Sequence, residues 1–79
     1  MLRYDLEFVL GAHNLNSDII RDAIGEFGEG LEIVELATEK LTRYSDFQVR
    51  ISTLDPTVVF DACSQMGRIK SVKIDEKKI

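Results

Sequence analysis

Cysteine, histidine and proline occur once each in these 79 residues. No apolar run exceeds three residues, as in Phe8-Val9-Leu10 and Val58-Val59-Phe60. A lone Cys63 has no partner for an intrachain disulfide or a thiolate cluster, which points to a reducing compartment. Runs of three are far too short to span a bilayer. No basic segment followed by an apolar one opens the chain, so no secretory leader is expected, and the cytoplasm is the expected location. Clustered positive charge is also missing. Fourteen acidic residues against ten basic ones leave a net charge of −4, which argues against a nucleic-acid or anionic-membrane partner, because phosphate binding relies on grouped Lys and Arg.

What is present is a pattern of periods. From Tyr44 to Ser52, Phe47, Val49 and Ile51 alternate with Asp46, Gln48, Arg50 and Ser52. Alternate residues of a strand face opposite sides, so this stretch predicts a central strand with one apolar and one polar face. Leu2 to Leu10 alternates in the same way and predicts a first strand. Gly11 to Asn16 then reads as a loop. Asn16 or Ser17 supplies the cap of a helix in which Ile19, Ile20, Ala23, Ile24 and Phe27 form one stripe. Gly28 follows it, where a left-handed C-terminal residue is expected.

Gly30 to Thr38 predicts a second strand with apolar residues in both phases, reconciled by a bulge near Ile33-Val34 or by an exposed edge. Asp55 and Pro56 start a second helix, whose stripe is Val59, Ala62, Cys63 and Met66 and whose end is Gly67. Arg68 to Asp75 predicts the last strand. Ile69 is out of phase with Val72 and Ile74, which suggests a second bulge. Residues 76–79 read as a loose tail. The order β-α-β-β-α-β over residues 1–79 predicts one α+β domain of ferredoxin-like architecture. It is a two-layer sandwich of a four-stranded antiparallel sheet with two helices on one face.

The face left open carries Arg3, Asp5, Glu7 and Val9 on the first strand and Asp46, Gln48, Arg50 and Ser52 on the third. RNA modules of this topology stack bases on aromatic rings at those positions, and none stands here. The first loop has no Cys-x-x-Cys pair for a soft metal, and no arginine to hold phosphate. His13 lacks the partners that would orient an acid-base group, and reads as a solvated loop histidine. Ser17 and Asp18 read as ordinary capping rather than an anion site. Cys63, on an apolar stripe, reads as an inert thiol. Arg3, Glu7, Asp46 and Arg50 can form cross-strand ion pairs of about 0.2–1 kcal/mol each. No catalytic triad order, paired-carboxylate motif, glycine-rich phosphate loop or zinc spacing occurs. A non-enzymatic chain with neither cofactor nor metal is therefore expected.

Two resemblances go further. The segment from Phe27 to Val72 has a strand, a polar turn and Thr42-Arg43-Tyr44-Ser45 leading into the alternating strand. A helix and a closing strand with Lys70-Ser71-Val72 follow. This pattern resembles the YbeD-like family of small bacterial proteins of unassigned function, with Tyr44 and Ser45 at the matching positions. The run Asp18-Ile19-Ile20-Arg21-Asp22-Ala23-Ile24-Gly25-Glu26-Phe27-Gly28 is similar, more loosely, to ACT-type regulatory domains, which bind amino acids at a subunit interface beside the first loop. That likeness implies a sensor for an amino acid or another small polar ligand. Gly11, His13, Asn14, Asn16 and Ser17 are its candidate ligand-binding residues. The expectation favoured by the residues themselves is a regulatory or protein-interaction module. It would self-associate as a homodimer, or bind a protein partner, through its open face or the edge of its second or fourth strand.

Overall fold

Twelve residues of near-strict alternation make β1 (Leu2–His13) the axis of the molecule, hydrogen-bonded on both sides. The structure is a computed structural model describing residues 2–78. After β1 come α1 (Ser17–Ile24) with a 3₁₀ turn over Gly25–Phe27, β2 (Glu29–Glu39), β3 (Tyr44–Thr53), α2 (Pro56–Met66) and β4 (Arg68–Lys78). The sheet order is β2-β3-β1-β4, and every neighbouring pair is antiparallel. The fold is α+β: one four-stranded antiparallel sheet and two helices.

The alternating residues of the two central strands meet both helices. Leu6, Phe8 and Leu10 of β1 and Phe47, Val49 and Ile51 of β3 are buried with Leu15, with Ile20 and Ile24 of α1, and with Val59 and Cys63 of α2. Phe8 packs on Phe60 with ring centroids 5.3 Å apart. Burial pushes the Cys63 thiol up to about 11, so it stays protonated and acts as a small apolar filler. Both helix starts follow the sequence reading. Asn16 Oδ1 accepts the Ile19 amide at 2.9 Å and Asp55 Oδ1 the Thr57 amide at 3.1 Å, with Pro56 opening α2.

Several boundaries move. Gly11, Ala12 and His13 belong to β1, paired with Asp46, Ser45 and Tyr44, so the first loop shrinks to a tight turn at Asn14 (φ 56°). In β2 the register shifts at Gly30-Leu31 and around Leu36, not at Ile33-Val34, which pair regularly with Val49 and Gln48. Ile33 thus keeps the helix side, while Val34 and Leu36 are exposed. The bulge expected in β4 lies at Ser71 (φ 56°), between the Glu7–Lys73 and Val9–Lys70 pairs. It puts Ile69 and Ile74 in one phase, opposite Leu10 and Leu6.

Residues 76–78 are not a loose tail. Glu76, Lys77 and Lys78 pair with Tyr4, Arg3 and Leu2, because β1 begins early enough to offer them backbone partners; Ile79 lies outside the described residues. Gly28 and Gly67 are not left-handed caps. Both are extended (φ −173° and −179°) and are glycine because of close approach. A Cβ on Gly28 would lie 2.3 Å from the Ser52 carbonyl, and one on Gly67 would lie 2.4 Å from that of Gly11. Each helix thus hands the chain to the next strand against the backbone of a central strand.

The helices, of eight and eleven residues, span about 12 and 16 Å at 1.5 Å per residue. The strands, of ten to twelve residues, run to about 33–40 Å. The sheet therefore outreaches its helical cover. On the helix side of the β4 edge, Val72 and Ile74 stay 47% and 50% exposed.

Candidate functional site: the open sheet face and its two edges

Register fixes which side chains share the uncovered face. Glu7 stands opposite Arg50 and Lys73, and Arg50 opposite Glu32. The four side chains form a row across all strands. Lys73 Nζ lies 3.8 Å from Glu7 Oε2, Arg50 Nε 3.7 Å from Glu7 Oε1, and Arg50 Nη1 4.0 Å from Glu32 Oε2. The sign alternates from β4 to β2: plus, minus, plus, minus. Gln48 adds an amide hydrogen bond to Glu7 at 3.2 Å.

A second row lies toward the start of β1. Asp5 faces Asp75, and Arg3 faces Lys77, like against like. The conflict resolves diagonally, with Lys77 Nζ 3.0 Å from Asp5 Oδ2 and Arg3 Nη1 3.8 Å from Glu29 Oε2. Arg3 also donates to the Ser52 carbonyl and hydroxyl at 3.3 Å. The hydrogen bond and charge of Lys77 hold the Asp5 carboxyl below its ordinary range, and Asp5 raises Lys77 in return. What the pair adds to stability is present between these limits. It fades as pH falls through the lowered Asp5 value and as pH rises through the raised Lys77 value. A third contact, Lys70 Nζ to Asp46 Oδ1 at 3.1 Å, crosses over Gly11, which has no side chain in the way.

Sequence reasoning found Glu7 with Arg50, which pair as expected. It placed Asp46 and Arg3 in the same network, but their partners are Lys70 and Glu29. It missed the outer members, Glu29 and Glu32 on β2 and Lys70, Lys73 and Lys77 on β4. The available signal was composition: β2 holds four glutamates and no basic residue, and β4 holds five basic and two acidic residues. At the ends of the first row Glu32 is 67% exposed and Lys73 is 79% exposed, so each keeps most of its hydration and a free side.

The five first-loop candidates have internal roles. Gly11 sits in β1 under Tyr44 and Asp46; a Cβ there would lie 2.3 Å from the Tyr44 hydroxyl. The His13 Nδ1–H donates to the Thr42 carbonyl at 2.8 Å, and the ring meets Tyr44 edge-on with centroids 5.2 Å apart. The Asn14 amide donates to the Arg43 carbonyl at 2.9 Å, Asn16 caps α1, and Ser17 is its first residue. They are neighbours in sequence, but each is turned to a different local task. A cleft of about 310 Å³ opens instead near the start of β1, lined by Arg3, Phe27, Glu29, Leu54, Asp55 and Val58 among others.

No helix among the described residues is long and apolar enough to cross a membrane. Comparisons with protein-family models, curated proteins and solved structures find no match to this chain.

Proposed function

We propose that this chain is a non-enzymatic interaction module that self-associates through the edges of its sheet. The strand order β2-β3-β1-β4 reads as the ferredoxin-like split β-α-β arrangement, which leaves β2 and β4 as long edges. The observation that carries the proposal is the incompleteness of those edges. Each is an eleven-residue strand with one side unpaired, and unpaired strand backbone is a ready template for another strand. Val34 and Leu36 at one edge, and Val72 and Ile74 at the other, are exposed apolar residues of the kind that association covers. A small core adds to the gain from covering them. The charges on the open face mostly answer one another, so the face acts as a scaffold that sets the sign of each edge.

Sedimentation velocity over a wide concentration range tests the reading. The expected result is a mass that rises above one chain with concentration. A single-chain mass up to the highest attainable concentration contradicts it.

A further inference from the structure

The two edges differ in sign, and that difference selects the geometry of association. β2 carries Glu29, Glu32, Glu35 and Glu39 with no basic residue, while β4 carries Arg68, Lys70, Lys73, Lys77 and Lys78 against Asp75 and Glu76. A symmetric contact pairs an edge with itself. β2 on β2 sets four glutamates against four, and β4 on β4 sets five basic residues against five; like charges across a strand pair are destabilising. A head-to-tail contact, β4 of one copy on β2 of the next, brings opposite signs together.

We propose that the occupant of each edge is a second copy of this chain, joined head to tail so that one antiparallel sheet runs through successive copies. This rests on the edge-association reading above and names its partner. The topology permits it. β3 and β4 both run antiparallel to β1, and β2 runs antiparallel to β3, so β2 and β4 point in opposite directions. A neighbour in the same orientation therefore adds its β4 antiparallel to β2, with its helices on the same side.

Placing Glu32 opposite the neighbour's Lys73 continues the alternating row without a break: Lys73, Glu7, Arg50, Glu32, then Lys73 again. The same register sets Ile33 against Val72 and Leu31 against Ile74. These four share the helix side, and the half-exposed Val72 and Ile74 gain the cover they lack. The bulges at Gly30-Leu31, Leu36 and Ser71 confine this pairing to a short segment on each edge, so the contact depends on its charges. A head-to-tail contact has no built-in stop at two chains, and closes into a ring or runs on as a filament.

The test exchanges the charges. E29K/E32K makes the 29–32 segment of β2 basic, and K73E/K77E makes β4 acidic; circular dichroism and melting temperature establish that each variant folds. At low ionic strength the wild type is expected to sediment beyond the mass of two chains and to dissociate as salt screens the contact. Each double variant alone is expected as a single chain. Their equimolar mixture, and the quadruple variant with both edges exchanged, are expected to assemble again. A wild type that stops at two chains, or a mixture that stays unassembled, overturns the head-to-tail inference while leaving edge association standing. A wild type that is one chain under all conditions overturns both.

Discussion

Phe8→Ala is expected to lower the unfolding free energy by about 3–5 kcal/mol, the usual cost of emptying a fully buried aromatic site. Phe8 is wholly buried on β1, faces the helix layer and packs on Phe60. Its neighbours on β1 and β3, Leu6, Leu10 and Val49, belong to the sheet, which cannot close a gap without giving up strand pairing. A domain of 79 residues has a total stability of about 4–12 kcal/mol, so this one change removes a large part of it. Urea denaturation measures the effect. A loss below about 1 kcal/mol would place Phe8 outside the true core.

Gly67→Ala is expected to cost about 1–3 kcal/mol or more, by overpacking instead of emptying. The added Cβ would lie 2.4 Å from the Gly11 carbonyl oxygen and 2.7 Å from the Ala12 Cβ. Both belong to a central strand and neither is the end of a flexible side chain, so α2 or the start of β4 must move. Gly25→Ala is the matched control. Its Cβ would meet nothing closer than 3.8 Å, and its backbone is helical (φ −58°, ψ −29°). It should be neutral or stabilising by about 0.4–1 kcal/mol, through a less flexible unfolded chain. Equal losses at the two positions would contradict the close-approach account.

These two sites also mark how far the sequence could be read. Phe8 was legible, because it sits in an alternating run whose period names its face before any contact is known. The same holds for Phe47, Val49 and Ile51, for the Asn16 and Asp55 caps, and for the extra residue in β4. Gly67 was legible as a helix end, but its reason was not. The approach of Gly11 depends on how α2 and β1 are set in space, and spacing along the chain carries no trace of it.

The ends of β1 and β4 were missed for a related reason. Gly11 to His13 and Glu76 to Lys78 are held mainly by backbone pairing, and Ala12 is the one apolar side chain among them packed against the core, too small a signal to mark a strand. In β2 the apolar residues fall in both phases because it is an edge strand covered on one side, which is one of the two readings its sequence allowed; the places of its bulges were not legible. The candidate ligand residues of the first loop came from the likeness to ACT-type domains, not from a pattern of their own. The structure commits them to a turn, a cap and a strand. The edge charges were visible in the composition of two segments. They acquire meaning only once the strand order makes those segments opposite edges of one sheet.

Amide hydrogen exchange resolved along the chain tests most directly where the contact forms. The account predicts that, as protein concentration rises at low salt, amides within residues 31–33 and 72–74 become slower to exchange, and that salt reverses the gain. Central-strand amides, already paired on both sides, should change only in step with overall stability. Exchange at both edges that is independent of concentration, or new protection confined to the helices, would contradict it.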